Sequence, residues 1–224
     1  MRTTRFLILI IISTLLTACG QQATPSRTFT TGDTLLNEQF DSPDAWEAFA
    51  DEEIGFTIES TDGAYHITNE AEAFIWGLNH DLHTDAVFEL TTNQLSDANG
   101  SAYGLICRAN PDNNGDGYYF LISDDRYFTI AKAQGEEITP LKPWEYAATI
   151  NNDPLTNTLK AVCIDDYLAL YINDQFVMEA TDETFTEGFT GLAGAPNPEN
   201  NGRLHVTFDN LTITSATLTG EETP

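Results

Sequence analysis

What most constrains this chain is the spacing of its β-prone runs. Residues 103–108 (YGLICR), 118–122 (YYFLI), 127–132 (YFTIAK), 159–164 (LKAVCI), 167–172 (YLALYI) and 176–180 (FVMEA) are short and rich in aromatic and branched residues. Between them stand Ser123-Asp124-Asp125-Arg126, Asp165-Asp166 and Asn173-Asp174, which are turn formers. Such runs, with a turn roughly every 8–12 residues, indicate an antiparallel sandwich or barrel. Residues 56–59 (FTIE), 65–67 (YHI) and 86–90 (AVFEL) extend the pattern toward the N-terminus, and long amphipathic helical windows are absent. The expected fold class is all-β, with two antiparallel sheets.

Alternation assigns faces, because successive side chains of a strand point to opposite sides. Leu168, Leu170 and Ile172 share one face, and Tyr167, Ala169 and Tyr171 the other. Tyr118, Phe120 and Ile122 face one way and Tyr119 with Leu121 the other. Leu204, Val206 and Phe208 are in phase, but Leu211 and Ile213 fall on the opposite parity. A β-bulge at Asp209-Asn210 would return both sets to the core. Thirteen Phe, eight Tyr and three Trp supply bulky apolar area for one sizeable domain.

The N-terminus sets the compartment. Arg2 and Arg5 precede an apolar stretch from Phe6 to Leu16, too short to span a bilayer, which takes roughly 20 apolar residues. This is the anatomy of an export signal. Leu16-Thr17-Ala18-Cys19 resembles the lipobox of bacterial lipoproteins, which implies cleavage before Cys19 and its acylation, palmitate included; two or more acyl chains make a stable membrane anchor. Gly20 follows, leaving an outer-membrane or cell-surface address open. The expected organisation is a signal peptide over 1–18, the lipidated Cys19 with a flexible linker over 19–33, a β-sandwich over 34–214 and a polar tail over 215–224. The linker is rich in Gln, Thr, Ser and Pro and lacks apolar periodicity.

Losing Arg2 and Arg5 from nine basic residues leaves seven against 35 acids, a formal charge of −28 instead of −26. Such a surface repels nucleic acid, so no nucleic-acid partner is expected. Beyond Cys19 there remain Cys107 and Cys163, an even pair in an oxidising compartment, expected to form a disulfide. The other readings are two buried thiols or a nucleophilic cysteine.

The order of motifs carries a resemblance. Residues 36–41 (LNEQFD) with Trp46, then 103–108, 117–123 (GYYFLIS), 127–132, 159–163, 168–173 (LALYIN), 191–194 (GLAG) and 206–213 (VTFDNLTI) look like the concanavalin A-like, laminin-G-like jelly rolls of bacterial surface proteins. They are similar in particular to domains related to the 3-keto-disaccharide hydrolase group. The resemblance covers roughly residues 34–214 and implies a jelly-roll fold, one that hosts lectins, glycosidases and adhesion modules. It also implies a structural Ca²⁺ between the first and last strands, with Glu38, Asp41 and Asp209 as ligands.

A second calcium reading comes from residues alone. Asp112, Asn114, Asp116 and Gly117 match the start of a calcium loop, D-x-[DN]-x-[DN]-G. Ser123 stands where such a loop closes on Glu, so a hairpin of turn formers is the competing reading. His80, His83 and Asp85 are too few for a convincing transition-metal set, and a polar turn accounts for them. The E-x-D-x-x-E strand of family 16 glucanases, the G-x-S-x-G elbow, the P-loop and the dinucleotide fingerprint are absent. A ligand surface is best sought among aromatics, because sugar rings stack their C–H faces on aromatic planes while polar groups satisfy the hydroxyls. Trp76, Tyr119, Tyr127, Trp144 and Tyr171, with Arg108 as hydrogen-bond donor, are the candidates, Tyr119 and Tyr171 sharing one platform if their strands share a sheet. The expected function is a noncatalytic, lectin-like module binding extracellular glycan. The alternatives are a glycoside hydrolase or lyase of the keto-disaccharide type and a scaffold for another envelope protein.

Overall fold

The alternating runs form strands in a computed structural model that describes residues 23–221, apart from 72, 99, 112–114, 136 and 201. Cys19, Asp112 and Asn114 lie outside the described residues. In chain order the first strands are β1 (Arg27–Glu38), β2 (Phe49–Asp51), β3 (Phe56–Thr61), β4 (Ala64–Asn69), β5 (Ile75–His83) and β6 (Ala86–Gln94). The middle holds β7 (Ala102–Ala109), β8 (Gly117–Ser123), β9 (Tyr127–Gln134), β10 (Glu137–Pro140) and β11 (Glu145–Tyr146). Then follow β12 (Thr156–Ile164), β13 (Tyr167–Ile172), β14 (Gln175–Thr181), β15 (Gly188–Ala195) and β16 (Leu204–Glu221). No helix among the described residues is long and apolar enough to cross a membrane.

The strands make two antiparallel sheets. The nine-stranded sheet runs β14-β13-β12-β6-β16-β4-β3-β2, with β1 added to β16. The seven-stranded sheet runs β10-β9-β8-β7-β15-β5, with β11 added to β9. This is a jelly-roll-like sandwich. Tyr103, Leu105, Tyr118 and Phe120 of one inner face pack against Phe88, Leu90, Leu168, Leu170 and Phe208 of the other, all at most 1% exposed. Fully burying side chains of this size stabilises by about 1.5–3 kcal/mol each. Cys107 on β7 and Cys163 on β12 are bonded, so the disulfide staples one sheet to the other across a sequence separation of 56.

The expected bulge is present. β16 keeps β6 on one side, with a register shift between Asp209 and Thr212, while its other side passes from β4 (Leu204 to Phe208) to β1 (Leu211 onward). Asn210 takes φ 54°, a conformation Asn tolerates better than most residues. Leu204, Val206, Phe208, Leu211 and Ile213 are consequently all buried.

The domain limits differ from expectation. Residues 27–33, expected in the linker, and 215–221, expected in the tail, pair with each other as β1 and the end of β16, from Arg27 opposite Glu221 to Thr34 opposite Thr214. Their Thr-rich, mostly exposed pattern hides a strand pair that buries Ala216 and packs the partly buried Phe29 and Leu218 behind the nine-stranded sheet against Val87, Val162, Tyr167 and Tyr171. Arg27 forks the carboxylate of Asp166 and stands 5.4 Å from the Tyr167 ring centroid, pinning the ribbon.

Candidate functional site

A concave site that combines exposed rings with a hydroxyl and a carboxylate lies beside Tyr127 and Trp144. It forms at the turn from β8 to β9. Arg126 takes φ 73° and donates its backbone N–H to the Ser123 carbonyl (3.0 Å), closing the turn. Ser123 Oγ accepts from the Tyr127 backbone (3.1 Å) and donates to Asp125. Asp124 points inward, 2% exposed, and accepts from the Gly100 backbone (2.6 Å) and from Gln94 Nε2 (2.7 Å). That bond holds Gly100 beside Ala102 in the floor. On the other side, Thr129 Oγ1 donates to the Lys142 carbonyl (2.7 Å), and β11 pairs Glu145 with Phe128 and Tyr146 with Tyr127. Trp144 is thereby set beside Tyr127.

The result is a cleft of about 220 Å³ lined by Gly100, Ala102, Ser123, Asp125, Tyr127 and Trp144. Tyr127 is 42% and Trp144 39% exposed. Tyr146, more open still, meets Tyr127 edge-on at 5.9 Å between centroids. Arg126 Nη1 donates to the Tyr146 hydroxyl (3.3 Å) and Nη2 to Asn152 Oδ1 (2.6 Å), fixing the rim. Rings that do not need burial, a floor of small residues and an adjacent hydroxyl–carboxylate pair can hold a ring with an apolar face and hydroxyl edges. The volume is below the ~300–1,000 Å³ of pockets that enclose drug-sized ligands, so the cleft would grip one part of a longer molecule.

The structure unites Tyr127 and Trp144 but disperses the other aromatic candidates. Tyr119 lies on the outer face of the seven-stranded sheet at 1% exposure, edge-on to Phe74, with its hydroxyl donating to the Gly115 carbonyl (2.8 Å). Burial raises its pKa, and the nearby Asp116 charge raises it further. Tyr171 belongs to the other sheet, half-buried between Phe29 and Phe176. The shared Tyr119–Tyr171 platform is therefore corrected: the two rings sit on opposite sides of the sandwich, each under its own cover. Trp76 is half-buried in a separate apolar recess.

Arg108 is a structural hub rather than an open donor. It is 1% exposed, with Nε on the Thr84 carbonyl (3.2 Å), Nη1 on those of Asp165 (2.7 Å) and Phe185 (2.9 Å), and Nη2 on Asp85 (2.9 Å). Burial lowers its pKa and Asp85 opposes that. The 760 Å³ hollow above it is walled by Asp85, Asp165, Asp166 and Glu183.

The metal candidates among the described residues do not gather. Among the described residues no three His, Cys, Asp or Glu side chains form a metal-holding group. Glu38 accepts from the Phe40 backbone (2.6 Å) and Trp46 Nε1 (3.3 Å), and Asp209 accepts from the backbone (2.6 Å) and side chain (2.9 Å) of Asn210. Both carboxylates are engaged in local hydrogen bonds, and Asp41 is exposed. Asp116 is 7% exposed, and its Oδ1 has no hydrogen-bond partner among the described residues. His80 turns to Glu47 (3.0 Å), while Asp85 turns to Arg108, so those residues form no common site.

Sequence reasoning missed Asp124, Ser123 and Asp125 as parts of the cleft. They read as a turn, and only the pairing of β8, β9 and β11 shows that this turn borders two rings.

No family model and no curated protein matches the chain. Solved structures do. A carbohydrate-binding module CBM66 from Bacillus subtilis aligns with a TM-score of 0.60 at 18% identity, covering 77% of this chain and 97% of the module. A Bacillus subtilis protein of unknown function with a galectin-like fold aligns with a TM-score of 0.64 at 12% identity, covering 85% and 99%. A β-1,3-1,4-glucanase (lichenase) from a mouse hindgut metagenome aligns with a TM-score of 0.58 at 12% identity, covering 80% and 98%. These likenesses show the fold: a jelly roll of the kind found in carbohydrate-binding modules and glucanases.

Proposed function

We propose that this protein is a noncatalytic glycan-binding module that uses the Tyr127–Trp144 cleft. The single observation that carries the reading is the pair of exposed rings over Gly100 and Ala102 with Ser123 and Asp125 at hand. The fold supports it, since the neighbours include a carbohydrate-binding module and a glucanase. Asp125 is the one carboxylate among the cleft's lining residues, which favours binding over the carboxylate pair that glycoside hydrolysis uses. A strongly acidic surface selects neutral glycan over polyanionic glycan. Attachment through an acylated Cys19 would hold the module on the cell envelope, and labelled fatty acid should enter the wild type but not Cys19→Ala.

The test is a glycan array read alongside reducing-sugar release. Binding of neutral oligosaccharides without release supports the proposal. Release of reducing ends would transfer the case to the hydrolase reading, and absence of binding to every neutral glycan would transfer it to a scaffold for another envelope protein. Calcium is proposed for the 112–117 loop, where a cation would satisfy the buried Asp116 oxygen that has no partner among the described residues. Added Ca²⁺ should then raise the melting temperature of the wild type and not of Asp116→Asn; equal melts would remove calcium from the account.

A further inference from the structure

A second recess, of about 500 Å³, opens where the edges of the two sheets meet, away from the glycan cleft. Glu47, Phe49, Phe56, Phe74 and Trp76 supply its functional walls. Each is held in place. Glu47 runs beside β5: its N–H donates to the Leu78 carbonyl (3.0 Å), and its Oε2 accepts from the Leu78 N–H (3.1 Å). The Tyr65 hydroxyl donates to the Glu47 carbonyl (2.7 Å). Glu47 Oε1 lies 3.0 Å from His80 Nε2, and the side chain stays 27% exposed. Phe49 and Phe56 meet edge-on at 5.9 Å across the β2–β3 pair. Phe74 is braced against Tyr119, and a Cβ on Gly115 would come within 2.8 Å of the Trp76 ring, so that ring is closely backed by Gly115.

The inventory of groups decides what such a recess can take. A polyhydroxylated ring needs several donors and acceptors at its edge. Among these side chains the Trp76 indole N–H is the one donor and Glu47 the one acceptor. Four aromatic rings and one anchored carboxylate instead match an alkylated cation. The negative faces of the rings attract the charge, their apolar bodies accept its methyl groups, and the carboxylate completes the neutralisation. The formal charge of −26 enriches cations near the whole surface.

We infer that this recess binds an organic ammonium ion carrying alkyl substituents, held by the rings of Phe49, Phe56, Phe74 and Trp76 and by the Glu47 carboxylate. The site is independent of the glycan cleft.

The test compares two probes of the same shape on the full chain, choline and its uncharged isostere 3,3-dimethylbutan-1-ol, at matched ionic strength. The indole resonance of Trp76, assigned with Trp76→Phe, is followed by NMR. Choline should shift it saturably, with the alcohol at least tenfold weaker. Glu47→Gln keeps an oxygen for the Leu78 N–H and should weaken choline at least tenfold while leaving the alcohol unchanged. Phe49→Ala, on a short exposed strand, should weaken choline without unfolding the domain, and Trp144→Ala should leave choline binding intact. Equal affinity for alcohol and choline would overturn the inference in favour of a merely apolar recess, and so would the absence of a saturable shift with choline in the folded wild type.

Discussion

Two outer-face regions of the sandwich are covered differently. Behind the nine-stranded sheet the terminal ribbon lays Phe29, Ala216 and Leu218 over Val87, Val162 and Tyr171, so this face is packed almost as an interior. At the turn end of the seven-stranded sheet, Tyr127, Trp144 and Tyr146 stand open, with no strand among the described residues drawn over them. The same residue type thus has opposite meanings: Tyr171 is under cover and Tyr127 is available. Alternation reveals that a strand has two faces. It does not reveal which outer face a distant segment will cover.

This difference can be broken by substitution. The largest effect should come from the staple that holds the two sheets together. Replacing Cys107 and Cys163 by Ala frees a loop whose closure is worth about 4 kcal/mol in the chain-entropy account, and urea unfolding should show a loss in the range of about 2–5 kcal/mol. Free thiols in the denatured, unreduced wild type would refute the link itself.

Next comes Arg108→Met. If the guanidinium is a hub, the substitution strands the carbonyls of Thr84, Asp165 and Phe185 and should cost about 3 kcal/mol, at the lower end for broken buried pairs because Asp85 is partly exposed. A stable Arg108→Met variant with impaired glycan binding would return Arg108 to the ligand surface.

The two tyrosines sharpen the contrast directly. Tyr171→Ala removes a half-buried ring from between Phe29 and Phe176 and should cost about 2 kcal/mol, below the ~3–5 kcal/mol of a fully buried aromatic. Tyr127→Ala should stay within about 0.5 kcal/mol of the wild type, as exposed substitutions do. Matching losses would mean that the two regions are equally covered after all.

A further prediction concerns acid. Asp182 follows β14 and meets Tyr118 and Lys132 of the seven-stranded sheet, and burial alone would raise its pKa. Lys132 (2.8 Å), Thr184 and the Tyr118 hydroxyl (2.7 Å) outweigh that and hold the carboxyl well below its ordinary range. Tyr118 is pushed up to about 12, chiefly by burial. A depressed folded-state pKa means that the stabilisation is complete above the unfolded value of ~3.9 and is lost as pH falls below it. The wild type should therefore lose melting temperature between about pH 4 and pH 2 more steeply than Asp182→Asn. Parallel acid limbs would remove Asp182 as a contributor.

Much of the fold was legible in the sequence. The Cys107–Cys163 bond is expected from an even cysteine count in a chain read as exported, and the strands from Tyr103 to Ala180 and the opposed parities of 204–208 and 211–213 with their bulge follow from local pattern. The terminal ribbon did not, because residues 27–33 carry one apolar side chain and find their partner about 190 residues away. The candidate site was half legible. Tyr127 and Trp144 stand out as aromatics, but their meeting depends on β11 folding back onto β9, and β11 is two residues long. Tyr119 failed as a candidate because an outward ring can still be covered, here near Gly115 and Phe74.

The central claim is that the uncovered rings, and not the covered ones, bind glycan. The most direct measurement takes the strongest neutral binder from the array and titrates it calorimetrically into the wild type, Trp144→Ala and Tyr171→Ala, each below its own unfolding temperature. The account predicts that Trp144→Ala loses at least about tenfold in affinity, ~1.4 kcal/mol, with its melting temperature unchanged, while Tyr171→Ala binds like the wild type and melts earlier. Undiminished binding by Trp144→Ala, or binding lost in a folded Tyr171→Ala, would contradict it.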